Sequence, residues 1–433
     1  MRRDEGVRLF ASDAERRADG SGGLKAHPRM FAILDRTSGY IKNDEGGQTL
    51  RDLYRAGTVG QDPNMYRRFA LDCFSGQTTA VRQAVENGRA PDLTGTETPY
   101  KFGYCTLVIA GAQRGAAQCP GADHAATLKY LLNSGAPVDS CDIVGLTALH
   151  HATQNTYGPT VALARVLLEN GADVNYQNRY GEVPIMAAFQ IGDPRMVELL
   201  MEFGADLAKP DADGTTGQSM FVNTGPTVTA AVMKWMRKRT GEQLPLDGKS
   251  CAKCGKTNGA LKICSKCHAV KYCSPECQRA HWREHKQTCT PFNAATSVTV
   301  RPSYSDLGML LPTADVTRQS LGIPAAPHPS SHNRMSHKPH MKPGQPKAMV
   351  IKVQVPYTGR APTMQDGLML VYDKKRDFVC TLRPGDNREA YMRIAQTVWT
   401  KGVGGAKAYF PAELKSRDEL VIKVGEVLAE QPF

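Results

Sequence analysis

At 433 residues with 41% hydrophobic content, the chain exceeds what one hydrophobic core organises, and its length suits two to four modules. The net charge is +12, and no apolar run approaches the roughly 18 residues a membrane-spanning helix needs, which argues against a membrane protein. The start, Met1-Arg2-Arg3-Asp4-Glu5, lacks the apolar stretch of a secretory signal, so the 12 cysteines are expected to stay reduced in a cytoplasmic or nuclear protein, where metal binding is favoured over disulfides.

In chain order, residues 1–64 read as a partly disordered region, charged and rich in Gly, Ala and Arg up to about residue 28. A repeating pattern begins near Met65. Asn133-Ser-Gly135-Ala136-Pro-Val138-Asp139, Asn170-Gly171-Ala172-Asp173-Val174-Asn175 and Phe203-Gly204-Ala205-Asp206-Leu207 are copies of one unit, and Asn87-Gly88-Arg-Ala90-Pro-Asp92 is a weaker copy. The last two intervals between these glycines are 36 and 33 residues. Each glycine follows an apolar helical pattern, such as Val161, Leu163, Ala164, Val166, Leu167 and Leu168, and so reads as the left-handed cap that ends a helix.

This stretch resembles the ankyrin repeat family. Gly145-Leu146-Thr147-Ala148-Leu149-His150-His151-Ala152 is close to that family's G-x-T-P-L-H-x-A opening, and Gly181-Glu-Val183-Pro184-Ile185-Met186-Ala187-Ala188 is a looser form. The resemblance covers residues 65–240, with an insertion near 111–123 and a closing helix at Thr227–Lys238 behind Pro226. It implies an α-solenoid whose turns and inner helices form a concave binding surface, hence a protein partner. His150 reads as a turn brace rather than a metal ligand or catalyst, since no carboxylate or cysteine motif accompanies it.

Between Lys234 and Lys347 there are 19 Lys/Arg against six Asp/Glu, so the basic character is concentrated there. The same segment carries the densest chemistry in the chain. Cys251, Cys254, Cys264, Cys267, Cys273, Cys277, His285 and Cys289 follow the spacing C-x2-C-x9-C-x2-C-x5-C-x3-C-x7-H-x3-C. Short pairs like these place two donors on one ion, and eight donors make two closed tetrahedral zinc sites. Spacing alone allows either sequential or interleaved pairing. With seven thiolates and two Zn2+ contributing −3, the lysines partly offset the sites themselves. Cys277, His281, His285 and Cys289 recur every four residues and fall on one helix face, so one histidine is surplus.

The string resembles the MYND zinc finger, through Lys271-Tyr272-Cys273-Ser274-Pro275-Glu276-Cys277-Gln278 and His281-Trp282-Arg283-Glu284-His285-Lys286-Gln287-Thr288-Cys289. That resemblance implies interleaved sites, Cys251/Cys254/Cys273/Cys277 and Cys264/Cys267/His285/Cys289, with His281 and His268 as bystanders. It also implies binding of proline-containing peptides, with Tyr272, Gln278 and Trp282 as groove candidates; packing of the small core is the competing role for Tyr272 and Trp282.

Residues 290–347 are rich in Pro, Ser and His and read as a disordered linker in which His328, His332, His337 and His340 are incidental composition. Short strands over Val350–Val355, Leu368–Tyr372, Phe378–Leu382, Ala408–Phe410 and Leu420–Lys423, with a helix over Glu389–Thr400, make residues 348–433 a small α+β domain of no recognised family. The expected architecture is thus multidomain: an ankyrin α-solenoid, a two-zinc finger and an α+β domain. No N-H-S-C, H-x-D, H-E-x-x-H or Walker A motif occurs. The expected function is a non-enzymatic adaptor for protein partners in transcriptional or signalling regulation. The alternatives are an activity in the C-terminal domain and nucleic-acid association through the basic 234–347 segment.

Overall fold

The computed structural model describes residues 18–114, 120–154, 160–241, 250–257, 259–267, 269–305, 319, 341, 344–356 and 360–428. The chain divides into two units, Met1–Phe221 and Val222–Phe433.

In the first unit, helices α1 (Pro28–Arg36) and α2 (Gln48–Thr58) precede the repeats, where sequence periodicity predicts no element. α1 starts with proline in its first turn, and the His27 ring accepts the Arg29 N–H. Helix pairs then follow: α3 (Arg68–Phe74) with α4 (Thr78–Glu86), α5 (Tyr104–Gln113) with α6 (His124–Asn133), α7 (Ala148–Thr153) with α8 (Thr160–Glu169), and α9 (Pro184–Ile191) with α10 (Pro194–Glu202). Part of the expected insertion, residues 115–119, lies outside the described residues. The glycines that close the helix pairs all adopt positive φ, from +63° at Gly88 to +96° at Gly135.

Successive repeats are joined by a backbone ladder between their turns: Ile143 N donates to Tyr100 O, Arg179 N to Val144 O and Ala212 N to Tyr180 O, at 2.9–3.0 Å. At Gly145 (φ +79°) and Gly181 (φ +74°) this ladder leaves no room for a side chain, since a Cβ would lie 2.9 Å from Arg179 N and 2.8 Å from Ala212 N, respectively. His150 braces the same turn as expected. Its Nδ1 accepts the Thr147 N–H (3.2 Å), leaving Nε2–H to reach the Glu182 carbonyl of the next repeat (3.2 Å). Burial holds its pKa down at about 4, so the ring is neutral.

The second unit opens with helix α11 (Pro226–Thr240), which the sequence reading places as the closing helix of the repeats but which belongs to this unit instead. In this unit the buried Lys407 ammonium donates to Val222 O and Thr229 Oγ1, both at 3.1 Å, tying that helix and its approach to the sheet. The finger contributes a hairpin, β1 (Lys262–Ile263) with β2 (Lys271–Tyr272), and helix α12 (Pro275–Thr288). A six-stranded sheet follows, built from β3 (Val298–Val300), β4 (Lys347–Gln354), β5 (Met369–Asp373), β6 (Val379–Leu382), β7 (Lys407–Ser416) and β8 (Glu419–Ile422), in the order β3-β8-β7-β4-β5-β6. Helix α13 (Arg388–Lys401) packs on its inner face through Tyr391, Ile394 and Val398.

The sheet corrects one sequence expectation. Residues 290–347 read as linker, yet Val298–Val300 pair with β8 and Ser303 exchanges two 2.9 Å backbone hydrogen bonds with Thr381 of β6. The segment thus supplies the edge strand β3 and, through Ser303, meets β6 at the opposite edge, which curls the sheet. Val-Thr-Val is too short, and too surrounded by Pro, Ser and Thr, to register as a strand by period alone. The four linker histidines lie outside the described residues, as does His268. Among the described residues, no helix is long and apolar enough to cross a membrane.

Candidate metal centre

Local turns and one short hairpin position the donor set. In the first knuckle Gly255 N donates back to Cys251 O (2.8 Å) and Gly255 takes φ +72°, which folds Cys251 and Cys254 towards one point. The hairpin aligns the next pair, Cys264 N donating to Val270 O and Ala252 N to Lys271 O. Ser274 caps α12 by accepting the Cys277 N–H, and Pro275 occupies its first turn, so the helix starts with Cys277 facing Cys273.

Two clusters of four donors result, each with its donor atoms within 4.8 Å of one another: Cys251, Cys254, Cys273 and Cys277 in one, and Cys264, Cys267, His285 and Cys289 in the other. The structure therefore brings the eight residues together in the interleaved pattern. Separations of 3.5 Å between the Cys254 and Cys273 sulfurs and 3.6 Å between those of Cys273 and Cys277 compare with about 3.8 Å for two sulfurs on one tetrahedral zinc. Cys267 Sγ lies 3.6 Å from His285 Nε2, close to the roughly 3.6 Å that a thiolate and an imidazole on one zinc would show. The residues present fit the metal. Backbone N–H groups of the knuckle, that of Cys254 foremost, hold the Cys251 thiol down at about pKa 6, whereas the neighbouring Cys254 thiol pushes Cys273, and burial pushes Cys289, up to about 12.

His281 lies outside both clusters. Its Nδ1 faces the Tyr272 hydroxyl at 3.1 Å, its Nε2 is 3.4 Å from Glu284, and its ring stacks on His285. Tyr272 is 1% exposed, and burial pushes its phenol up to about pKa 12. Of the three groove candidates, only Trp282 is exposed, at 37%, with the Lys266 ammonium 5.3 Å from its ring centroid; Gln278 is half-buried.

Sequence reasoning missed what surrounds the centre. Cys251, Cys264, Cys267, Ala269, Val270 and Tyr272 share one buried cluster with Tyr372, Val379, Tyr409 and Leu428 of the C-terminal domain. Lys423, fully buried, donates to the Cys267 carbonyl (3.1 Å) and pairs with Glu426. Only the alternation in β5 and β7, which leaves Tyr372 and Tyr409 on the face away from α13, carried a signal that the sheet has two covered faces.

The MYND finger model matches residues 251–289, and the ankyrin repeat model matches three copies over residues 114–211. Among curated proteins, the chain is 37% identical over 62 residues to ubiquitin carboxyl-terminal hydrolase 15 of Arabidopsis thaliana, covering 14% of this chain and 7% of the relative. It is 51% identical over 45 residues to ubiquitin C-terminal hydrolase 15 of rice, Oryza sativa subsp. japonica, covering 10% and 4%. To SET domain-containing protein 14 of Caenorhabditis elegans it is 32% identical over 94 residues, covering 19% and 22%. The chain thus spans less than a quarter of each of these relatives. What the matches establish is modular: residues 114–211 are ankyrin repeats, and residues 251–289 are a MYND zinc finger.

Proposed function

We propose that the chain is a non-catalytic adaptor that joins partners through its ankyrin stack and its finger, with two structural zinc ions. Cys251, Cys254, Cys273 and Cys277 hold one ion and Cys264, Cys267, His285 and Cys289 the other. The single observation behind this reading is that each cluster supplies four protein donors, so a bound zinc has no position left for water or substrate. Such an ion contributes folding free energy and organises the residues around it, and neither cluster adds a general base to it.

The relatives' names include hydrolases and a SET protein, but the shared segments amount to 4–22% of those chains. Overlap of that extent carries neither named activity over to this chain. For the finger, the exposed Trp282 ring beside Gln278 is the surface for a proline-containing peptide, with Tyr272 assigned to the core. Joining two readers in one chain raises avidity through effective concentration.

Two measurements test this. Elemental analysis of the purified full chain should give about two zinc ions per molecule, and fewer than one would remove the basis of the reading. Titration with a library of proline-containing peptides should show binding that Trp282→Ala abolishes and that persists at moderate salt. Binding of nucleic acid with a steep salt dependence and no such peptide binding would favour the basic-segment alternative instead.

A further inference from the structure

The turn side of the first unit is already covered by the chain itself. Tyr40 OH donates to Gln177 Oε1 (3.1 Å), Ile41 N to Arg179 O (2.8 Å) and Asn43 N to the Asp213 carboxylate (3.1 Å). Further along, Arg51 pairs with Glu182 (2.9 Å) while its guanidinium lies 4.1 Å from the Tyr180 ring centroid, and Tyr54 OH donates to Asp142. These acceptors belong to the turns of three successive repeats. At the inner-helix side, Arg114 at the end of α5 donates to Thr58 O (2.9 Å), and His151 of α7 shares Asp142 with Tyr54. Residues 28–58 therefore lie on the surface of turns and inner helices with which an ankyrin stack meets its ligands.

The chemistry of the contact is directional. Asp142, Glu182 and Asp213 form a row of carboxylates, one per turn, and the covering segment meets each with a donor. Arg51 and Tyr54 are three residues apart, so α2 presents both on one face. The segment is held at both ends, Gly20 O accepting the Thr98 N–H and Gly22 O the Asp62 N–H, while Val59 beside the α2 terminus is 73% exposed. Met30, Ile41 and Leu50 are buried beneath it, which gives it apolar anchors as well.

We propose that residues 28–58 are a tethered ligand of the stack's concave face, and that this face recognises helical segments carrying a basic residue and a hydroxyl donor one turn apart. An external partner of that chemistry competes with the chain's own segment, whose tether maintains a local concentration of about millimolar. The proposal rests on the reading of the stack as a partner surface, but its test requires no partner.

The probe is a fluorescent peptide of residues 40–58, titrated by anisotropy against the full chain. The wild type should bind it weakly. Arg51→Ala/Tyr54→Phe in the full chain removes two hydrogen bonds to charged groups from the internal competitor, and should tighten probe binding roughly 10- to 100-fold. Adding Glu182→Gln to that variant should reverse most of the gain. Equal affinity in wild type and double variant overturns the proposal. Hydrogen exchange on the unmodified chain provides a test free of folding effects. Residues 28–58 should exchange faster than α5, α7 and α9; exchange in step with those helices would make the segment a fixed part of the core. Absence of proline-peptide binding at the finger would leave both results untouched, so the two readings fail separately.

Discussion

Removing the metal should loosen the C-terminal sheet as well as the finger. Tyr372, Val379, Tyr409 and Leu428 are each no more than 5% exposed, and the side chains that cover them include Ala269, Val270 and Tyr272 of the finger. Complete burial of one such side chain is worth about 1.5–3 kcal/mol, so losing roughly half the cover of four removes about 3–6 kcal/mol. Lys423 would also lose the Cys267 carbonyl, leaving a buried ammonium short of an acceptor at about 1–3 kcal/mol. The sum is comparable with the whole stability of an ordinary domain, about 5–15 kcal/mol. The assay is hydrogen exchange of the full chain with zinc and after chelation, followed in peptides spanning Met369–Leu382. Protection in those peptides should fall together with that of residues 251–289. Retained protection in the sheet, alongside complete loss in the finger, would refute the shared core.

Two further outcomes follow from the repeat turns. His150 has a folded pKa of about 4, below the roughly 6.5 of an unfolded histidine, so the folded state binds fewer protons. Its stability contribution is complete above pH 6.5 and is lost as pH falls towards 4, with about 2 kcal/mol gone at pH 5. The neighbouring Asp142, Asp173 and His151 and the Glu182 carbonyl enter the same balance. Urea titrations at pH 7 and pH 5 should therefore show the gap between wild type and His150→Gln narrowing at the lower pH; a constant gap would refute the assignment. Gly145→Ala should cost more than Gly135→Ala although φ is positive at both, because only at Gly145 does an added Cβ meet backbone. The expected loss at Gly145 is about 2–4 kcal/mol against about 1–2 at Gly135, and equal losses in urea unfolding would refute the packing argument.

The shared core bears on the proposed role of the finger. A finger held on a sheet through Tyr272, Val270 and Lys423 is positioned in advance, and its exposed features, Trp282 foremost, face outward from a fixed base. Substituting one of the eight clustered cysteine or histidine donors therefore tests the fold of the whole second unit, whereas Trp282→Ala tests the proposed recognition alone.

Much of the site was legible in the sequence because its information is local. Knuckle spacing, the Ser274 cap with Pro275, and the capping glycines each act over a few residues, so the donor set, the repeat turns and the bracing role of His150 could be read directly. The strands of residues 348–433 showed through their two-residue period, and α13 through its helical spacing. Tertiary structure alone decided what those elements cover. Val298–Val300 is a strand because β8 lies beside it, and Tyr272 is a core residue because Tyr372 and Tyr409 share its buried cluster. Helix α2 likewise owes its place to carboxylates more than 80 residues away in the chain. Pairing over such separations depends on the summed packing of many distant side chains, and no short window of sequence contains both partners.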